Sequence, residues 1–346
     1  MSLYSNIGDS KRMASTTTLA ESQTLPRVCV TSIDFNGQLV DRISAQPPSS
    51  DDVLLYWLGQ AGFLVRTKQA SWLIDPYLSD SLAEKYQGKH YPHIRMMPAP
   101  ITVEDLAFVH GVLCTHKHTD HMDASTLIPL FQHPLNAQAF MLAPRAEKQE
   151  ALARSGLPNE RIRWISDGEE VDLSESLSVH ATLAAHEGVE RDDQGNSRFL
   201  GYILKVALQA DSQEKHASTQ NKKTLTIWHS GDCVPYDGLV DTLIEHQPDV
   251  ALLPVNGRDE RRASHGIPGN FHLEEAVSLC KQTGIKHLIA HHFDLFEFNT
   301  IDPQKILLTA QQNADSISIV AARLHVEYRL RLRSEYCNRS NLMSLR

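Results

Sequence analysis

Short apolar runs of strand length alternate with amphipathic helical stretches from residue 53 to the end of the chain, and this alternation predicts an α/β protein. Two further observations agree with it. With 346 residues, 41% of them hydrophobic, the chain can bury the core of one large domain or two small ones. Its most informative polar residues stand where apolar runs end. The expected organisation is a weakly ordered leader over 1–48 with one strand near 28–35, a single α/β domain over 49–334, and a tail over 335–346.

The cluster Pro47-Pro48-Ser49-Ser50-Asp51-Asp52 closes the leader. Strands follow at 53–58, 62–67 and 71–74, the last ending at Asp75-Pro76, and another apolar run covers 109–114. Helical periodicity begins at 124–131 and returns at 146–154, where Gly156 supplies a stop. Strands resume at 162–165, 177–184, 199–208 and 225–228. The polar, Lys-containing stretch 209–223 reads as an exposed loop joining the last two. Beyond it the pattern alternates: helix 239–246, strand 250–254, helix 273–282, strand 287–290, helix 303–312. At the end Leu324, Val326, Tyr328, Leu330 and Leu332 alternate with charged residues, which predicts a half-buried edge strand with a charged outer face.

Composition excludes several classes. Five scattered cysteines without a CxxC pair indicate neither a disulfide framework nor a thiolate metal site, and fit a reducing cytoplasm. The first residues are rich in Ser and Thr and lack the basic-then-apolar pattern of a secretory signal, and no segment offers the ~18 apolar residues of a membrane span. A formal charge of −9 argues against general nucleic-acid affinity, which rests on basic surfaces. No membrane or nucleic-acid partner is therefore expected, while a homo-oligomer is compatible with the sequence. Eighteen histidines is a high count, but His90, His93, His110, His133, His216, His246, His287 and His325 lack partners in sequence and read as exposed or core residues.

The most informative stretch is Cys114-Thr115-His116-Lys117-His118-Thr119-Asp120-His121-Met122-Asp123. Burying three imidazoles and a carboxylate directly after an apolar strand is costly unless each finds a partner, and a divalent cation satisfies both donor types at once. The i, i+2 spacing puts His116 and His118 on one side of an extended segment, and a turn can bring Asp120 and His121 to a second point nearby. Three later positions repeat the pattern of polar residues at strand ends: His186 before Gly188, Asp232 in His229-Ser230-Gly231-Asp232, and the pair His291-His292. Gly231 lets the backbone turn so that the Asp232 carboxylate can point back into a cleft. Together these residues suit one site of His116, His118 and His186 and a second of Asp120, His121 and His292, with Asp232 bridging. Such a set fits two hydrolytic metals roughly 3.5–4 Å apart.

The order of short strands, His-x-His-x-Asp-His, a single His, Ser-Gly-Asp and a final His resembles the metallo-β-lactamase superfamily over about residues 53–332. The resemblance implies a four-layer αβ/βα sandwich, two mixed sheets flanked by helices, with the metal site at one edge. Trp57-Leu58-Gly59-Gln60-Ala61-Gly62, Ile74-Asp75-Pro76, His229-Ser230-Gly231-Asp232, Leu253-Pro254-Val255-Asn256-Gly257-Arg258 and His292-Phe293-Asp294-Leu295-Phe296 are similar to the branch containing L-ascorbate-6-phosphate lactonase. In that branch the His-His-Asp stretch leads to an Asp-Pro helix start, matched here by Asp302-Pro303, which selects His292 over His291 as the ligand. The lactonase carries Asp where this chain has His186. The resemblance also implies that Asp75 holds a ligand His by its far nitrogen. One or two ions per chain are expected, and zinc and manganese both suit an N/O donor set without thiolate.

A cytoplasmic metal-dependent hydrolase follows as the expectation. A divalent ion brings the pKa of a bound water near ~7 and polarises the oxygen under attack. Asp120 is then the group to orient the nucleophile and pass its proton to the leaving oxygen. Asn256, Arg258, Arg261, Arg262, His265 and Asn270 form the densest donor-rich loop, suited to the phosphate or carboxylate of a small anionic substrate such as a phosphorylated sugar lactone or ester. Phosphodiester cleavage, as in the phospholipase D-like and nuclease branches, is the alternative enzyme class, and a non-catalytic metal-binding module is the alternative outside enzymes.

Overall fold

The computed structural model describes residues 26–45, 47–208 and 223–333. One sheet holds β1 (Val28–Asp34), β2 (Asp52–Gly59), β3 (Gly62–Arg66), β4 (Ser71–Ile74), β5 (Gly111–Leu113), β6 (Phe140–Pro144), β7 (Ile162–Ile165) and β15 (Val326–Leu332). The other holds β8 (Glu170–Ser174), β9 (Leu177–Leu183), β10 (Leu200–Leu208), β11 (Lys223–His229), β12 (Val250–Pro254), β13 (His287–His291) and β14 (Ser318–Ala321). Their spatial orders are β1-β15-β2-β3-β4-β5-β6-β7 and β14-β13-β12-β11-β10-β9-β8. The helices are α1 (Leu39–Ala45), α2 (Ser81–Lys85), α3 (Ala124–Gln132), α4 (Lys148–Ser155), α5 (Leu239–His246), α6 (Glu260–Ala263), α7 (Leu273–Thr283) and α8 (Pro303–Asn313).

The two sheets are mixed and the arrangement is layered as the sequence predicts. Alternate residues of β2 and β3 (Val53, Leu55, Trp57, Phe63, Val65) face the second sheet, while Leu54, Tyr56, Leu58 and Leu64 face the opposite way, under α1 and α3. Both faces are therefore covered, which explains why these strands read as continuous apolar runs. On the far side α7 buries Leu273, Ala276, Val277 and Cys280, an i, i+3, i+4, i+7 stripe, against the second sheet. Gly284 at φ +78 ends that helix in the left-handed conformation that glycine adopts without strain.

Two expectations need correction. The strand expected near 28–35 is present as β1, but it is part of the fold and not of a weakly ordered leader: it pairs antiparallel with β15 from Val28↔Leu332 to Asp34↔Val326, and α1 buries Leu39 and Ile43. Nor is the last strand an edge. It lies between β1 and β2, and its supposed outer face carries the fully buried Glu327, which accepts from Tyr56 (2.7 Å), Arg42 (3.0 Å) and Arg329 (2.7 Å). Three charge-assisted or strong donors allow a carboxylate where the alternation alone would place it in water. The expected tail over 335–346, and the expected loop over 209–223 as far as residue 222, lie outside the described residues.

What this topology does for the site is to align strand ends. β2, β4 and β5 run in one direction, as do β9, β11, β12 and β13, so their carboxyl ends gather at one edge of the sandwich. Gln60, Asp75, His116, His186, Asp232, Asn256 and His292 follow those ends.

Candidate metal centre

His116, His118, Asp120 and His121 occupy the loop after β5, His186 follows β9, Asp232 follows β11, and His292 follows β13. One ring nitrogen from each of His116, His118 and His186 lies within 4.8 Å of the other two. The same holds for His116, His121 and Asp232, and for Asp120, His121 and His292, with a carboxylate oxygen from each aspartate. His116 Nε2 is 3.0 Å from His118 Nδ1. Asp232 Oδ1 lies 3.1 Å from His292 Nε2 and 3.3 Å from His121 Nε2, and its Oδ2 lies 3.6 Å from His186 Nε2. All seven residues picked out by sequence are thus brought together.

Neighbouring groups fix which ring atoms face inward. Asp75, fully buried, accepts from the Thr115 backbone N–H (2.8 Å), the Thr115 hydroxyl (2.6 Å) and His121 Nδ1 (2.7 Å). With its proton given to Asp75, the Thr115 oxygen is left to accept from His116 Nδ1 at 3.1 Å. Both His116 and His121 therefore carry their proton on Nδ1 and turn the Nε2 lone pair toward the cluster. Gln60 donates its side-chain amide to Asp120 Oδ2 at 2.9 Å, and its backbone carbonyl accepts from the His292 N–H at 3.1 Å. Gln60, Asp75 and His292 all adopt positive φ (+50, +43 and +67), which concentrates backbone strain at the three strand ends.

The donor set fits a cation. His121 Nε2, Asp232 Oδ1, His186 Nδ1 and both ring nitrogens of His292 are buried without a hydrogen-bond partner among the described residues. Such orphaned groups are costly unless an ion takes them up. Burial drives the His116 and His118 imidazoles toward the neutral, ligating form, His116 far below its ordinary range, and pushes His186 down to about 4. Burial also disfavours charge on His121, but Asp232, Asp75 and Asp120 outweigh it and raise its pKa well above the usual value. Burial would raise Asp232, yet His292 and His121 hold it well below the carboxylate range. The site without its cation is thus a set of mutually compensating charges, which is what a divalent ion would relieve.

A cavity of about 540 Å³ opens above His118, Asp120, His186, Asp232 and His292. Of the six residues expected to bind substrate, His265 lines it and the other five do not. Arg258 is instead paired with both Glu275 oxygens (2.7 and 2.7 Å), and Arg262, buried, is held by Asp259 (2.6 Å), Asn299 (2.6 Å) and the Asn256 carbonyl (3.1 Å). Asn256 and Asn270 bond to each other (3.0 Å), Asn256 also to Asn299 (2.7 Å), and Asn270 also to the Cys233 N–H (2.9 Å). Arg261 donates to the Tyr91 hydroxyl at 3.1 Å. Arg258, Arg262, Asn256 and Asn270 thus brace the loop behind the cavity, because their charges and amides are taken up within the protein, whereas Arg261 is exposed and bonds only the Tyr91 hydroxyl.

The walls are built by residues that the sequence reading did not assign to the site, His90 and His93 among them as exposed or core histidines. Lys85, Tyr86, Lys89, His90, Tyr91 and His93 come from α2 and the chain after it, and Phe296 and Phe298 from the segment after β13. Two motifs quoted above carried signal for the missed contacts, the one around Gln60 and the one from His292 to Phe296. The stretch 82–93 has neither periodicity nor spacing that would single it out.

The Beta-lactamase superfamily domain model matches residues 72–293. A metal-dependent hydrolase of Caldivirga maquilingensis is 26% identical over 203 residues, 59% of this chain and 70% of that protein. A protein named as a probable L-ascorbate-6-phosphate lactonase of Escherichia fergusonii is 23% identical over 66% of this chain and 61% of its own length. Among solved structures, a metallo hydrolase of the archaeon Ignicoccus hospitalis superposes with a TM-score of 0.58 at 18% identity, covering 82% of this chain and 100% of that one.

Proposed function

This chain belongs to the beta-lactamase superfamily, and we propose that it is a metal-dependent hydrolase of small anionic carboxylic esters or lactones. The observation that carries this reading is the convergence of seven nitrogen and oxygen donors, several without any other partner, with five of the residues lining an open cavity. His116, His118 and His186 would hold one ion and Asp120, His121 and His292 a second, with Asp232 between them. Zinc or manganese suits these donors. Bound there, a divalent ion supplies an acidified water and an electrophile for the substrate oxygen.

The protein's own groups set the rest. Asp75 and Thr115 hold the His116 and His121 rings in the tautomer whose lone pairs face the site. Gln60 fixes one oxygen of Asp120. Asp120 stands at the cavity floor with its side chain 18% exposed. It is the group placed to take the proton from the attacking water and return it to the alkoxide as the acyl–oxygen bond breaks. The lactonase named above supports an ester or lactone substrate, and the walls of the cavity lie within reach of one.

The test is elemental analysis of protein purified with metal present, followed by assay on a panel of anionic lactones, esters and bis-p-nitrophenyl phosphate before and after chelation. One or two divalent ions per chain and chelator-sensitive ester or lactone hydrolysis are expected. Active protein free of transition metal would sink the reading, and cleavage of the phosphodiester alone would move it to the other enzyme class.

A further inference from the structure

The cavity is lopsided. On one side the rings of Tyr86, Tyr91, His93, Phe296 and Phe298 form a continuous wall. Tyr86 stacks on His93 at 4.1 Å and 23°, His93 meets Phe296 and Phe298 edge-on at 5.0 and 4.8 Å, and Tyr91 meets Phe298 at 4.8 Å. Phe296 and Tyr91 are buried within this wall, at 1% and 8% exposure, whereas Tyr86 and Phe298 are half-buried and present the surface a ligand would touch. The wall is mostly ring carbon: the Tyr91 oxygen accepts from Arg261, so that among its hydroxyls the Tyr86 O–H and the Tyr91 proton are what it offers a polar ligand, too few for a ring carrying several hydroxyls. A polyhydroxylated ring laid on it would leave polar groups unpaired.

Charge at the cavity is lopsided as well. Among the other lining residues Lys117 pairs with Glu147 (3.4 Å) and Arg154 with Glu150 (2.8 Å). Lys85 and Lys89, on the aromatic side, are exposed and form no ion pair among the described residues. Lys85 Nζ sits 5.3 Å from the centre of the Tyr86 ring, so a positive charge lies over the end of the wall.

We propose that the substrate is a lactone or ester built on a flat, largely apolar ring and carrying one anionic group, the ring lying against Phe298 and the edge of Tyr86 and the anion reaching Lys85 and Lys89. This assignment rests on the hydrolase reading for its reaction but not for its binding. The anion site accordingly lies on the α2 side of the cavity, opposite in origin to the Arg258 loop that the sequence suggests.

The test uses metal-replete full-length protein and two lactones, a dihydrocoumarin carboxylate and a sugar-phosphate lactone, with 2-naphthoate as an unreactive binding probe. The aryl lactone should be preferred in kcat/KM by at least about tenfold, the scale of one well-packed aromatic contact. Phe298→Ala should raise its KM by about tenfold with kcat and metal content nearly held, and cost the sugar-phosphate lactone less. Tyr86→Leu gives the same comparison if Phe298→Ala melts early. A Lys85→Ala/Lys89→Ala double variant should weaken 2-naphthoate and leave neutral naphthalene-methanol unchanged. Preference for the sugar-phosphate lactone, or equal losses on both lactones in Phe298→Ala, overturns the proposal. If neither lactone is turned over, the hydrolase reading fails alone when 2-naphthoate still binds in a Phe298-dependent way, and the ring site fails too when it does not.

Discussion

At the residue scale, adjacent imidazoles have opposite fates. His292, at φ +67, turns its ring nitrogens into the donor cluster, while His291 packs between the sheets, stacked on His229 at 5.1 Å and edge-on to Phe63 at 5.3 Å. His292→Ala should therefore lower metal content and activity by at least an order of magnitude at little cost in stability. His291→Ala should retain metal and lose about 1–3 kcal/mol of stability from the cavity left behind. Elemental analysis and thermal melts on the two variants check this, and equal metal loss would mean the register is misjudged. The seven clustered residues were legible because each breaks an apolar pattern at a strand end. Arg258 and Arg262 are taken up by the protein's own carboxylates, which sequence could not reveal: a charged loop looks the same whether its partner is a ligand or, as for Arg258, a glutamate 17 residues further on.

At the scale of elements, strand ends aim the chemistry. Gly231, between β11 and Asp232, has φ +62, and a Cβ there would lie 2.5 Å from the Leu200 carbonyl and 3.0 Å from Thr115 Cβ. Gly231→Ala should push the Asp232 turn away from both and from the ions it would bridge. The expected result is a fold retained by circular dichroism with metal affinity reduced at least about tenfold, since one ligand group is displaced; unchanged affinity by metal titration would show that the turn tolerates a side chain. Most elements were legible from apolar period alone, and β4, β7, α5 and β12 have the predicted bounds. The strands β6, β8 and β14 were not. β8 is an edge strand with little buried surface, and β6 and β14 are short runs whose strand character comes from parallel neighbours distant in sequence. Helix α1 was lost because its seven residues bury only Leu39 and Ile43.

For the molecule as a whole, the buried carboxylate of Glu327 links the terminal strand to β2 and α1. Burial would raise its pKa, but hydrogen bonds from Tyr56, Arg42 and Arg329 outweigh it and lower the value. A depressed carboxylate contributes stability that is complete above its unfolded value, ~4.3, and lost as pH falls through the lower folded one. Glu327→Gln should cost about 2–4 kcal/mol at neutral pH, leaving Arg42 and Arg329 without their partner, and should flatten the acid limb of the stability curve below about pH 4. Urea titrations from pH 3 to 7 check this, and parallel curves for the two proteins would refute it. The layered architecture was readable in advance because both faces of most strands are apolar. The burial of an acid in the last strand was not, because its three donors come from positions 42, 56 and 329.

The donor cluster draws on both sheets, since the loop after β5 belongs to one and the ends of β9, β11 and β13 to the other. An ion held there acts as a rivet through the open lip of the sandwich, and its binding energy becomes a clamp on sheet separation. At a hundredfold excess over its dissociation constant such an ion adds about 2.7 kcal/mol to the folded state. Stripping it should accelerate amide hydrogen exchange on both sides of the lip together, around 112–116 and 227–232, while protection in β1, an edge strand that contributes nothing to the donor cluster, stays as it was. Acceleration on one sheet alone would mean that the ion decorates that sheet and does not pin the pair.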